Sequence, residues 1–236
     1  MNKIKSAYEI LKGDEELTNI LNSINYNLNR LQNFERETSD VNYAICCHGR
    51  HHTLFVVSVA EYILSALSYD EHTVELGKIA ALLHDIGNYY GRNNHAEVSA
   101  AMCLNFISKT NLKLNDLKII TQAIFDHSTG TDIQSTVGAA LIIADKLPDI
   151  ERGIPVKYDK PVDVNSKYNI KDIQLNIKNQ DLIFNYVVEG NIKDFINEYL
   201  IVRLKRQPII LTQKAADYLN CNCIYTINGD GFLGES

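Results

Sequence analysis

The chain has 236 residues, 45% of them hydrophobic, and a formal net charge of -6 at neutral pH. That length and apolar share suffice to bury a full core, as one larger domain or one domain with a small appendage. Charged residues make up 22% of the chain and form no long basic block, which argues against wholesale nucleic-acid binding but leaves a small anionic substrate open if a local metal charge outweighs the global one.

The first segment, MNKIKSAYEILKGDEELTNILNSI, is amphipathic and broken by charges. It has neither the apolar stretch of a signal peptide nor the length of a bilayer span, so a cytoplasmic protein without a membrane partner is expected. From residue 5 to about residue 150 helical periodicity dominates. Ile10, Leu17, Ile20, Leu21 and Ile24 form one stripe, Val56, Val59, Ile63 and Leu67 a second, and Leu76, Ile79, Ala80 and Leu83 a third. Further helices are expected at about 95–109, 114–127 and 135–149, joined by short connections such as GRNN and STGTD.

Near Pro155 and Pro161 the texture changes. Ile173, Leu175 and Ile177 alternate with polar residues and LIFNYVV follows NQD, which predicts a β-hairpin at about 170–188. A helix from Asp194 to Arg206, ended by Pro208, and a final strand CIYTI with a turn at NGDG complete the reading. The expected fold is mainly α: a helical bundle over residues 1–153 with a small C-terminal α+β appendage over 154–236. The five cysteines, Cys46, Cys47, Cys103, Cys221 and Cys223, match neither a disulfide framework nor paired zinc spacing, and read as reduced structural thiols.

Several ionisable residues share the apolar stripe of their helix, where burial is costly without a partner. In CCHGRHHT, His52 precedes Val56, Val59 and Ile63 on the buried face; His51 leads a mixed face, and His48 stands at the helix start beside Gly49. His84 follows Leu76 and Ala80, with Asp85 next and Gly87 placed to cap the helix. His95 opens a helix after Asn93 and Asn94, while His127 and Asp145 continue the stripes of Ile120, Ile124, Val137 and Leu141. Any one of these histidines is explained as a hydrogen-bonded core residue. Four histidines and two aspartates converging from five helices need six unrelated compensations, whereas a metal centre compensates them together. Six donors exceed the needs of one tetrahedral ion, which points to two.

These residues resemble the HD superfamily of metal-dependent phosphohydrolases: H-x-x-x-V at His52–Val56, ALLHDIG with His84 and Asp85, HAEVSAA at His95, the helix-ending His127, and AD at Asp145. The resemblance spans about residues 45–152 and implies an HD-type helical bundle. It also implies one ion held by His52, His84, Asp85 and Asp145, with Asp85 bridging to a second completed by His95 and His127. The chemistry would centre on the catalytic pair His84 and Asp85, with Fe, Mn, Co or Zn as the divalent metal. The implied reaction cleaves a phosphate ester or anhydride, of a nucleotide by expectation, through attack of a metal-bound hydroxide. AIFDHSTG and LIIADKLPD are most similar to the branch containing bacterial symmetrical diadenosine tetraphosphate hydrolases. HD-GYP cyclic-dinucleotide phosphodiesterases share HDIG but usually carry a lysine where this chain has Asn88, and no GYP tripeptide occurs. Lys146, Arg92, Arg152 and His48 are the candidate substrate contacts, Lys146 having a solvent-facing alternative and His48, at the helix entry, the alternative of supporting the metal ligands from behind. The rival functions are a di-iron oxygenase of the same superfamily, as in myo-inositol oxygenase, and a non-catalytic nucleotide-sensing regulator. For the appendage, dimerisation into a homodimer, shaping of the substrate pocket and effector binding are the three roles considered.

Overall fold

The computed structural model describes residues 5–38, 48–130, 132–147, 170–196 and 207–233. The N-terminal stripe is carried by two helices. Gly13 closes α1 (Ala7–Lys12), and Asp14 restarts the chain as α2 (Glu15–Thr38) by accepting the Leu17 N–H at 2.9 Å. Leu17, Leu21, Ile24 and Leu28 are buried, as are Tyr8 and Leu11 on the shorter helix.

Next come α3 (Arg50–Ala66), α4 (Glu71–Leu83), a 3-10 turn (Ile86–Tyr89), α5 (His95–Ile107), α6 (Leu114–Asp126) and α7 (Thr136–Lys146). Their starts follow from sequence: Asp70 accepts the Thr73 N–H at 2.7 Å, and Ser135 accepts the Gly138 N–H at 3.0 Å. Helix α7 is the central element, buried without interruption from Val137 to Asp145 and packed on α3, α4 and α6. It stops at Lys146 because Leu147, which precedes Pro148, is extended (φ -62°, ψ 123°), as a residue before proline prefers to be.

The C-terminal part holds a four-stranded sheet in the order β1 (Ile170–Lys178), β2 (Asp181–Val188), β3 (Asn222–Ile227), β4 (Asp230–Leu233). The hairpin expected at 170–188 is β1 and β2, antiparallel. Strand β2 alternates strictly, with Leu182, Phe184, Tyr186 and Val188 buried. Strand β3 joins β2 in parallel, pairing Phe184 with Tyr225, whose rings stack at 5.2 Å. The NGDG turn does more than end β3: Asn228 (φ 51°) and Gly229 (φ 88°) form a two-residue turn that folds β4 back onto it.

One expectation for this part needs correction, and another lies largely outside the described residues. Pro208, expected to end a helix, sits in the first turn of α8 (Gln207–Tyr218), where proline's missing N–H costs nothing. Of the helix expected over Asp194–Arg206, a single turn at Ile192–Asp194 and Phe195–Ile196 beyond it are described; residues 197–206 lie outside the described residues, as do Pro155, Pro161, Cys46 and Cys47. Helix α8 packs on α7 and β3 through Leu211, Ala215, Ala216 and Leu219, so the sheet and the bundle share one apolar core. Among the described residues no helix is long and apolar enough to cross a membrane.

Candidate metal centre

Helix ends and helix starts build the site. His84 is the C-cap of α4 and His127 the C-cap of α6; each turns Nδ1 to the carbonyl three residues back, Ala81 at 2.8 Å and Ile124 at 2.6 Å. His95, first residue of α5, does the same to the Arg92 carbonyl at 3.1 Å. In each ring Nδ1–H donates to that carbonyl, which leaves Nε2 as the atom facing the centre. His52 comes from the first turn of α3 and Asp145 from the last turn of α7. All six of the expected ligand residues are buried and meet at one place.

Asp85 stands in the middle. Its Oδ2 lies 3.4 Å from His84 Nε2 and 3.8 Å from His52 Nε2, and its Oδ1 lies 3.6 Å from His95 Nε2 and 3.7 Å from His127 Nε2. Asp145 Oδ1 lies 3.2 Å from His52 Nε2 and 3.6 Å from His84 Nε2. Two donors each about 2.1 Å from a shared cation stand roughly 3 to 3.4 Å apart at bond angles of about 90° to 109°. The spacings are of that order, wider than direct hydrogen bonds for most pairs. Among the described residues His95 Nε2 is buried with no hydrogen-bond partner, and His84 Nε2 has only the Asp85 and Asp145 oxygens, at 3.4 and 3.6 Å; a cation between these rings and the carboxylates removes the cost. The donor set, imidazole nitrogen and carboxylate oxygen, fits a divalent transition ion, and among the described residues the triads His48–His52–Asp85, His52–His84–Asp145 and His84–Asp85–His127 are each compact enough to hold one.

The electrostatics agree. Burial opposes charge on His84, yet the neighbouring Asp85 and Asp145 carboxylates outweigh it and raise this ring to about 9. Burial also opposes ionisation of Asp85, but the His84 and His48 rings hold it well below the usual carboxylate range. His95 is pushed down to about 4, chiefly by burial, with Arg92 and His127 reinforcing it against the pull of Asp85. His127 is lowered, mainly by burial. At neutral pH His95 and His127 therefore offer free lone pairs, while His84 carries a proton that an incoming cation must displace. Metal affinity is thus expected to rise with pH by up to about tenfold per unit below pH 9 and to flatten above it, with one proton released per binding event. Isothermal titration in buffers of different ionisation enthalpy measures that proton count; affinity that falls as pH rises through this range contradicts it.

The remaining expected residues fall as follows. Lys146 turns inward, its side chain 15% exposed, and donates to Asp145 Oδ2, which leaves Oδ1 for His52 and His84. Arg92 is half-exposed at the rim, donating to Asn88 Oδ1 at 3.1 Å and standing 3.7 Å from Asp85 Oδ1. His48 is buried, with Nδ1 2.8 Å from Asp85 Oδ2, and His51 is exposed. Arg152 lies outside the described residues. Gly87 is not a helix cap: it lies within the 3-10 turn, and its lack of a side chain serves close approach, since a Cβ there would meet the His95 carbonyl oxygen at 2.4 Å and the Ser99 nitrogen at 2.7 Å. Its N–H is taken by Ser99 Oγ at 2.8 Å. Sequence reasoning missed the Ser99, Asn88 and Asn25 contacts, because none of these residues sits at a spacing that marks it.

Residues 49–150 match the family model described as HD domain. Among solved structures the chain is similar to a protein described as a predicted HD superfamily hydrolase from an uncultured Thermotogales bacterium. The two share 24% identity over 61% of this chain and 74% of that one, with a TM-score of 0.41. No curated protein matches the chain.

Proposed function

We propose that this protein is a metal-dependent phosphohydrolase that cleaves a phosphate ester or anhydride, of a nucleotide in particular, at a two-ion centre. The observation that carries the reading is the division of Asp85, with Oδ2 toward His84 and His52 and Oδ1 toward His95 and His127. A carboxylate so placed would serve two ions, one held with His52, His84 and Asp145 and the other with His95 and His127. The HD-domain match over residues 49–150 supports the same reading. Bound there, two such ions supply an activated water and neutralise charge at phosphorus.

The chain's own residues supply the rest. The Nδ1 bonds of His84, His95 and His127 fix ring orientation, and Lys146 orients Asp145. Arg92, anchored by Asn88, presents its remaining donors to a substrate phosphoryl oxygen. Arg92→Ala is expected to raise KM about tenfold, the order of one lost charge-assisted hydrogen bond, with metal content unchanged. Equal KM in variant and parent removes Arg92 from the substrate site. Residues 1–153 constitute the catalytic part in this reading and 154–236 the accessory part.

The narrower assignment to diadenosine tetraphosphate as substrate rests on the AIFDHSTG and LIIADKLPD segments. A panel of dinucleoside polyphosphates, guanosine tetraphosphate, deoxynucleotides and phosphomonoesters, assayed with the metal that the protein carries from anaerobic purification, tests the class. Phosphate-ester or anhydride cleavage supports it; oxygen uptake by the iron-loaded protein with no cleavage across the panel overturns it in favour of a di-iron oxygenase.

A further inference from the structure

One histidine of the centre behaves unlike the others. His48 approaches Asp85 Oδ2 with Nδ1 at 2.8 Å, shorter than the 3.2 to 3.8 Å that separate His52, His84, His95 and His127 from the two carboxylates. That is a hydrogen bond to an ionised acceptor, and shorter than the roughly 3 Å or more expected of two donors sharing a cation. His84, His95 and His127 instead direct Nε2 inward and tie Nδ1 to the carbonyl three residues back in the chain.

His48 is held from outside the HD-matched residues. Its backbone N–H donates to Asn25 Oδ1 at 2.9 Å, and Gly49 lets α2 come close, since a Cβ there would meet Asn25 Nδ2 at 3.0 Å and the Leu21 carbonyl at 3.2 Å. The same helix grips the other side of the HD turn, with Asn27 Nδ2 donating to the Tyr89 carbonyl at 3.1 Å. Helix α2 thus ties together the chain before α3 and the turn after Asp85.

We propose that His48, anchored by Asn25, is a positioning residue that fixes the Asp85 carboxylate in its divided orientation by donating Nδ1–H to one lone pair of Oδ2. The second lone pair of Oδ2 would then be left for an ion held by His52 and His84, while Oδ1 faces His95 and His127. A ligating carboxylate held by such an outer hydrogen bond binds metal more tightly because it enters the complex already oriented. The inference rests on the metal-centre reading above.

Mn(II) binding to the full chain tests it, with affinity from chelator competition and imidazole nitrogen couplings from pulsed EPR. H48A is expected to bind about 10- to 100-fold more weakly than the parent. H48Q, whose amide still donates, recovers most of that loss with the parent's nitrogen couplings unchanged, and N25A loses less than H48A. Equal affinity in folded H48A and the parent overturns the proposal. So does an H48Q that fails to recover affinity and lacks a nitrogen coupling, which makes His48 a ligand. If H48A does not fold, H48Q and N25A decide by the same criteria. A parent chain that binds no Mn(II) overturns the metal-centre reading itself and is seen in the control before any variant is measured.

Discussion

Asp85→Asn is expected to lose metal binding and turnover together while leaving the helical bundle folded. The substitution keeps the shape of the side chain but removes the charge that faces the imidazoles of His48, His52, His84, His95 and His127. It also places an amide N–H2 where one half of the centre requires an acceptor. Removing only the outer partner of a ligand typically lowers metal affinity about 10- to 100-fold, and loss of the charged ligand common to both halves of the centre is expected to exceed that. The His84 proton should go as well, because Asp85 is the leading attraction holding that ring at about 9. Far-UV circular dichroism with metal titration checks the expectation, and retained turnover in the variant shows that the chemistry lies elsewhere.

Gly87→Ala is the second large effect, and it acts through backbone. The methyl group meets the His95 carbonyl oxygen at 2.4 Å and the Ser99 nitrogen at 2.7 Å, neither of which is the mobile end of a side chain. The 3-10 turn must then move away from the start of α5, carrying Asp85 away from His95. Overpacking of this kind costs about 3 kcal/mol, expected as a lower denaturation midpoint at an unchanged slope, together with weaker metal binding. A variant within about 0.5 kcal/mol of the parent, with unchanged affinity, shows that the turn has room that the packing here denies it.

The two substitutions also show what could be read from the chain and what could not. His52, His84, His127 and Asp145 announced themselves because each interrupts an apolar stripe at helical spacing, and a stripe predicts a buried face. Convergence of those faces on one point could be argued from cost, since so many polar groups cannot be buried separately. His48 could not be placed so. It lies ahead of its helix, and its orientation depends on Asn25, 23 residues upstream on α2. Gly87 read as a helix stop because glycine commonly is one; only the packing of α5 against the turn reveals the close approach. Pro208 misled for a similar reason, because proline both follows helices and begins them. In the sheet, the alternation of β2 and the Asn228–Gly229 turn were local signals, whereas the parallel pairing of β2 with β3 joins residues far apart in the chain, such as Phe184 and Tyr225.

The central claim is that His52, His84, Asp85, His95, His127 and Asp145 form one centre for two divalent ions with Asp85 between them. Elemental analysis of anaerobically purified protein, followed by equilibrium titration of the metal-stripped parent and Asp85→Asn chains with the metal found, tests it most directly. Two ions per parent chain and loss of both in the variant are the predicted result; a parent chain that binds none, or a variant that still binds two, contradicts it.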